Sequence, residues 1–309
     1  MPGGLSYMNQ VGVVIVNWNG WHLTWRCLES LRHSDYPNLK YVVVDNGSAD
    51  GSAEAVAAQY PEVSLIRNSA NLGFAEGSNQ GIRYAMAHGA AYILLLNNDT
   101  VVDEKMISFL VETAAVHENR VVVSPKMYDG FDPARLWFVY GKANLWTGIF
   151  SNPAYKAPSG SVFEAVLPME YASGCCMLIP AGLISFVGVF DSRFFAYCED
   201  VDWSLRARRA GIVLLCDTRA ELWHYVTSTG ARDPVRMRYL MTRNHLWTMR
   251  RHTTVYQFAV FALAFYPLRC LLRIVKAATR AQWGCIAAEF RAAFEGFLGP
   301  LNQRSSISG

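Results

Sequence analysis

At 309 residues the chain can bury a large core, and a composition of 52% apolar and 17% charged residues excludes a disordered, collagenous or low-complexity protein. The net charge of +3 hides an asymmetry: residues 232–309 hold 12 Lys and Arg against 3 Asp and Glu (+9), which leaves 16 against 22 (−6) for the first 231. Seven cysteines, an odd number that includes the neighbours Cys175 and Cys176, fit neither a secreted disulfide framework nor a CxxC zinc pattern. A reducing compartment is expected, and the short polar stretch Met1 to Gln10 carries no export signal, so the cytoplasm is the expected location.

The first half alternates apolar runs with amphipathic segments. Strands are expected at Val11–Val16, Tyr41–Val44, Val63–Ile66, Tyr92–Leu96 and Val121–Val123. Helices are expected through Leu23–Leu31, around Ala53–Tyr60, and through Ala75–Ala87 and Lys105–His117. The strand runs are continuously apolar, which suits a mostly parallel sheet covered by helices on both faces. Ligands of such sheets collect at the carboxyl ends of the strands, so the residues after each run are candidates. They read Asn17-Trp18-Asn19-Gly20, Asp45-Asn46-Gly47-Ser48 and Asn97-Asn98-Asp99.

From Met127 to Pro168 the periodicity breaks into Gly, Pro and aromatic residues, expected as loops or hairpins shaping an acceptor cleft. A strand is expected at Tyr171–Ile179, then a helix with Pro180 in its first turn. Cys198-Glu199-Asp200-Val201-Asp202-Trp203 leads into a helix ending near Gly211, followed by a strand around Leu214. Past Asp233 the chain turns helical and basic. Its apolar stretch Val255–Leu272 is interrupted by Gln257, Pro267 and Arg269, so an interfacial or helix-packing role is expected over a spanning helix, which needs about 20 apolar residues. A buried helical hairpin is the plainer alternative. Basic charge beside apolar runs suits an anionic membrane surface better than nucleic acid; a merely solvated basic face stays open.

These motifs, in order, resemble glycosyltransferase family 2 with the GT-A fold, and more narrowly its bacterial rhamnosyltransferase-type members. The resemblance rests on Val16 to Gly20, Asp45 to Ser52, Asn71-Leu72-Gly73-Phe74-Ala75, Asn97-Asn98-Asp99, Ser173-Gly174-Cys175-Cys176 and Glu199 to Arg206, and spans about residues 11–230. It implies an α/β GT-A domain over residues 1–231, a nucleotide-sugar half to about 126 and an acceptor half after it, with a helical basic extension over 232–309. It also implies an inverting transfer from a dTDP- or UDP-linked sugar, dTDP-L-rhamnose foremost, to a glycan or lipid-linked acceptor. The expected location becomes peripheral, on the inner face of the cytoplasmic membrane, with the C-terminal helices as a membrane or homodimer surface.

By that resemblance Asp45 contacts the nucleobase, and a carboxylate at a strand end can accept a uracil or thymine ring N–H. Capping the Asn46-Gly47 turn is the plainer reading of the same residue. Asn17, Asn19, Asn46, Gly47, Asn71, Gly73, Phe74 and Asn98 complete the donor set. Arg67 and the Asn71–Phe74 turn are placed where backbone N–H groups meet a diphosphate, with a surface ion pair the alternative for Arg67. Asp99 closes the counterpart of a metal-binding Asp-x-Asp that here reads Asn-Asn-Asp, leaving one strong oxygen ligand for Mn²⁺ or Mg²⁺, with His224 a second ligand. Asp200 is implied as the general base, with Glu199 bonding the acceptor or the loop; acids at a helix start are equally favoured by its dipole.

No Gly-x-Gly-x-x-Gly follows the first strand, which excludes a dinucleotide-dependent dehydrogenase, and no Gly-rich basic loop stands there as in a nucleotidyltransferase. The incomplete Asp-x-Asp keeps one non-enzyme alternative open, a degenerate nucleotide-sugar-binding or membrane-docked scaffold.

Overall fold

The structure is a computed structural model, and it describes residues 9–226 and 233–300. The strands β1 (Val11–Asn17), β2 (Leu39–Asp45), β3 (Ser64–Arg67) and β4 (Tyr92–Asn97) run parallel in the order β4-β1-β2-β3. They are joined by α1 (Trp21–Arg32), α2 (Ser52–Gln59) and α3 (Phe74–Ala87). Every residue of β1 except Val16 is buried, as the unbroken apolar run requires. The helix α3 lies close on β1 because its facing residues are small: a Cβ added at Gly81 would sit 2.2 Å from Val14.

The sheet continues past β4 through β11 (Cys176–Pro180), β6 (Val121–Asp129), β12 (Val213–His224) and β10 (Val166–Met169). Of these, β11 is antiparallel to both β4 and β6, while β6 and β12 are parallel. The short strand β5 (Thr100–Val102) pairs with the end of β12, and β7 (Leu136–Phe138) with β6. The hairpin β8 (Lys142–Asn144) and β9 (Ile149–Ser151) accounts for the irregular stretch, and α4 (Met106–Val116), α5 (Ala181–Val187) and α6 (Glu199–Arg209) complete this part. The expected mixed, mostly parallel sheet flanked by helices is what forms.

Several boundaries differ for physical reasons. The β11 ladder begins at Cys176 rather than Tyr171, because residues 171–175 leave the sheet to face α6. Pro180 ends that strand with φ −54° and ψ 131° and caps α5 instead of entering its first turn. The strand expected around Leu214 runs on to His224 through an irregularity between Asp217 and Glu221, and this extension carries His224 opposite Thr100.

The C-terminal part forms α7 (Pro234–His252), α8 (Val255–Ala278) and α9 (Trp283–Leu298). The division expected between residues 231 and 232 lies outside the described residues. The three interruptions expected in α8 are absorbed. Gln257 closes a capping box with Thr254, Pro267 follows a π-helical stretch at Phe261–Phe265, and Arg269 turns inward to the carbonyl of Gly148 at 3.0 Å. The helix is therefore 24 residues long, enough by length and composition to cross a membrane, and only 11% of its most apolar 18-residue window is buried. It is not a buried hairpin.

Candidate active site

The parallel strands end in register: Asn17 lies beside Asp45, Asp45 beside Arg67, and Val16 beside Asn97. All three polar turns therefore share one rim, as the sequence implied, but their side chains divide the work differently. Asn17 is fully buried and both amide ends are taken, donating to Asp45 Oδ1 (2.8 Å) and Ser48 Oγ (3.1 Å) and accepting from Thr24 (2.9 Å) and Asn98 (3.2 Å). Asn46, 1% exposed, donates to the carbonyl of Gly73 at 3.0 Å and accepts from Asn68 at 2.9 Å. Both were expected to touch the donor, and in this structure their amides hold the rim together. Asn98 likewise turns back onto Thr24 and Asn17.

Asp45 is 3% exposed and accepts from Asn17 and, at 3.0 Å, from the N–H of Ser48, the turn-capping arrangement. Those two bonds use two of about four lone-pair sites on the carboxylate, so its capacity to accept a further N–H is kept. Asn19, with φ 51°, accepts from Ala49 N–H at 2.7 Å and so ties the first turn to the second. Gly47 adopts φ 70°, and a Cβ there would lie 2.8 Å from the backbone of Ala70, so this glycine serves chain packing.

The two groups expected at the diphosphate have other partners in this structure. Arg67 is half exposed and lies on α2, 2.9 Å from Glu54 and 3.2 Å from the carbonyl of Ala53, because that anion is its nearest partner. In the Asn71–Phe74 turn Gly73 N–H goes to Asn71 Oδ1 (2.9 Å), and just beyond it Ala75 N–H goes to the carbonyl of Phe195 (3.1 Å). The turn instead abuts a second loop, for a Cβ at Gly73, whose φ is 89°, would fall 2.5 Å from Phe195 O.

Asp99 and His224, 125 residues apart, meet at 3.0 Å between Oδ1 and Nε2. That is about the spacing of neighbouring ligands on an octahedral ion with bonds near 2.1 Å. His224 is 4% exposed, and the ring of Trp137 stands edge-on at 4.2 Å. Its Nδ1 is buried without a hydrogen-bond partner among the described residues. The pair fits two positions of a divalent cation, and among the described residues no third His, Cys, Asp or Glu gathers there.

Asp200 sits in the first turn of α6. Its Oδ2 accepts from Gly174 N–H at 2.9 Å and its Oδ1 from Val201 N–H at 2.8 Å. Burial raises its pKa while those two N–H groups oppose the rise. Glu199 is 5% exposed and its Oε2 has no partner, so burial first and the charge of Asp200 second push its pKa well up. Burial thus pushes both adjacent acids up, Glu199 the more strongly because no hydrogen bond from a neighbouring residue offsets it as those of Gly174 and Val201 do for Asp200. Gly174 fits between Asp200 and Phe74, since a Cβ on it would lie 3.3 Å from the one and 3.4 Å from the other. Cys175, whose thiol is pushed up mainly by burial, also feels the charges of Asp99 and Asp200, so these two acids flank one stretch of chain.

Residues 12–169 match the family described as Glycosyl transferase family 2. An N-acetylglucosaminyl-diphospho-decaprenol L-rhamnosyltransferase of Mycobacterium tuberculosis is 30% identical over 242 residues, 72% of this chain and 78% of the relative. The chain belongs to glycosyl transferase family 2. A galactofuranosyltransferase of Mycolicibacterium smegmatis is 27% identical over 209 residues, covering 67% of this chain and 68% of the relative. Among solved structures, a mannosyltransferase from Pyrobaculum calidifontis in complex with GDP-Man and Mn²⁺ matches with TM-score 0.57 at 17% identity, over 94% of this chain and 88% of that one. GalNAc-T7 with UDP, GalNAc and Mn²⁺ matches with TM-score 0.62 at 16% identity, over 83% and 52%. The fold is GT-A.

In this family-2 glycosyltransferase the site also depends on Ser48, Thr24 and Phe195, to which sequence reasoning gave no role, and on Asp202, which it read as an acid fixing the helix start. Ser48 and Thr24 fix Asn17, and Phe195 packs against the donor-side turn. Asp202, fully buried, gathers Arg206, Arg251 and His252 at 2.8–3.0 Å. Burial acts to raise its pKa, but the His252 hydrogen bond and the two guanidiniums bring it down to about 2. The signal for the α7 partners was a polar row at Asn244, Thr248 and His252, four residues apart on a helix otherwise basic and apolar.

Proposed function

We propose that this glycosyltransferase inverts the anomeric centre, with Asp200 as base, and that it moves L-rhamnose from dTDP-L-rhamnose to a hydroxyl of a lipid-linked glycan precursor. The observation that carries the reading is the carboxyl group of Asp200, held in place by the N–H groups of Gly174 and Val201 beside the buried Glu199. The Asp200 carboxylate takes the proton of the acceptor hydroxyl as its oxygen attacks the anomeric carbon and the bond to the nucleoside diphosphate breaks. Glu199 hydrogen-bonds the acceptor or the loop. Asp45 uses its remaining lone pairs for the ring N–H of the base.

Asp99 and His224 are the residues that would hold Mn²⁺ or Mg²⁺, which when bound offsets the charge of the leaving diphosphate. The Mn²⁺ in both solved neighbours supports a cation here, and the rhamnosyltransferase relative supports the sugar and a polyprenyl-linked acceptor. Delivery of such an acceptor calls for an anionic membrane, reached from its cytoplasmic side. The surplus of +9 in residues 232–309, with Tyr256, Leu263, Leu272, Trp283 and Phe294 exposed, supports docking there. Arg269 and Arg273 bind Gly148 and Glu289 on the other side of α8, which keeps that face on the protein while the apolar face meets lipid.

The test is a panel of dTDP-, UDP- and GDP-sugars, each with and without Mn²⁺ or Mg²⁺, scored by thermal shift and donor hydrolysis. A stabilising, cation-dependent response to dTDP-L-rhamnose is expected, since a ligand of the native state raises its melting temperature. A response confined to another nucleotide replaces the donor, and none from any removes the reading.

A further inference from the structure

Between the turn Ser192–Phe194 and α6 the backbone is left-handed at three residues that are not glycine: Phe195 (φ 63°), Tyr197 (φ 72°) and Cys198 (φ 66°). Such angles persist only where the surroundings over-determine them. The surroundings that do so belong to α7. Asn244, fully buried, points its carboxamide nitrogen at three carbonyl oxygens of this loop, those of Phe194, Ala196 and Tyr197, each at 2.8 Å. Its carbonyl end is held by Arg243, whose Nε and Nη2 lie 3.0 and 2.8 Å from Oδ1. The orientation of the amide follows from chemistry: the loop presents only acceptors and the guanidinium only donors. Arg243 also reaches the carbonyls of Arg193 and Phe194 directly, at 3.0 and 3.3 Å.

The loop connects two sides of the site. The carbonyl of Phe195 receives Ala75 N–H at the start of α3, and Cys198 O receives Asp202 N–H in the first turn of α6, which spans Asp200. Two turns beyond Asn244, Arg251 and His252 grip Asp202 at 2.8 and 2.9 Å. The helix α7 therefore holds the acid motif on both sides of Asp200, and it makes these contacts with residues from outside the segment that matches the family, 12–169.

We infer that Asn244 is a positioning residue for Asp200: its carboxamide, set by Arg243, clamps the left-handed loop 194–198 and so fixes the carboxylate against Gly174. This rests on Asp200 being the base. Loss of the clamp lets the loop relax toward ordinary backbone angles, and a carboxylate displaced by an ångström loses catalysis while the donor pocket stays intact.

The test uses the full chain with Asn244→Asp, which keeps the oxygen that Arg243 grips but removes both donors. Asn244→Ala covers the case in which the buried carboxylate stops folding. Hydrogen exchange is expected to quicken about tenfold in residues 194–202 and at Ala75 N–H, with β1 and β4 unchanged. The turnover number with dTDP-L-rhamnose falls roughly 100-fold, with KM changed less than about twofold. Adding Cys198→Gly, which removes the left-handed penalty at that position, restores part of the rate. Unchanged exchange at 194–202, exchange quickened evenly over the whole chain, or a loosened loop with normal turnover each overturns the inference. A wild-type chain inert toward every donor, with the exchange pattern as expected, supports the clamp and overturns the transfer reading instead.

Discussion

Replacing Asp202 by Asn removes the charge at the centre of the buried network joining α6 to α7. Its oxygens meet Arg206 at 3.0 Å, Arg251 at 2.8 Å and His252 at 2.9 Å, and its side chain is fully buried. A pKa lowered from 3.8 to about 2 converts, at about 1.4 kcal/mol per unit, to roughly 2–3 kcal/mol favouring the ionised folded form. Because the folded pKa is the lower one, this contribution is present above pH 3.8 and is lost as pH falls through that range toward 2. An Asn amide must turn its NH₂ toward at least one of three donors, which adds a cost, whereas Arg251 keeps Asp191 at 2.7 Å and recovers some. The net loss expected in urea unfolding at neutral pH is about 2–4 kcal/mol, a drop in Tm of roughly 4–10 °C. A loss below about 0.5 kcal/mol refutes the reasoning, since it would mean the charge is solvated or its partners are independent of it.

Gly73→Ala forces a Cβ to within 2.5 Å of Phe195 O at φ 89°, so it should cost about 2–4 kcal/mol and lower transfer by shifting the base loop; melting curves and rates check both. His245, buried beside Arg269, has its pKa lowered from 6.5 to about 3. The unfolded chain therefore takes up a proton that the folded one refuses, stability falls with pH below 6.5 by about 1.4 kcal/mol at pH 5.5, and His245→Gln should flatten that fall in pH-dependent unfolding. Among the described residues no third His, Cys, Asp or Glu joins Asp99 and His224, so calorimetry should find weak Mn²⁺ binding alone and tighter binding once a nucleoside diphosphate is present; Asp99→Asn should abolish the difference.

The sheet was legible because runs such as Val11–Val16 and Tyr92–Leu96 have no polar residue to interrupt them, and the polar residues that follow mark the rim. What each rim side chain does was not legible. Asn17 and Asn46 look like ligand contacts at a strand end, and only the fold reveals that Asp45, Ser48, Thr24 and Asn98 bond both ends of the first amide, and Gly73 and Asn68 both ends of the second. Arg67 found Glu54 thirteen residues before it, a pairing set by how α2 packs beside β3. His224 stood out in the sequence as a candidate ligand, but its approach to Asp99 depends on a strand irregularity that no local pattern announces. The α7 contacts lie about 50 residues from Asp202, and the basic excess of the C-terminal part concealed them. In α8 the three apparent interruptions proved to be a cap, a π turn and an inward-facing arginine.

The most direct test of the central claim compares wild type with Asp200→Asn for sugar transfer and for nucleotide binding in the same preparation. The amide keeps an oxygen for Gly174 N–H but has no proton affinity to serve as base. Transfer is expected to fall by about 10²–10⁴-fold with the nucleotide-induced thermal shift unchanged. Transfer at the wild-type rate by Asp200→Asn would contradict the account.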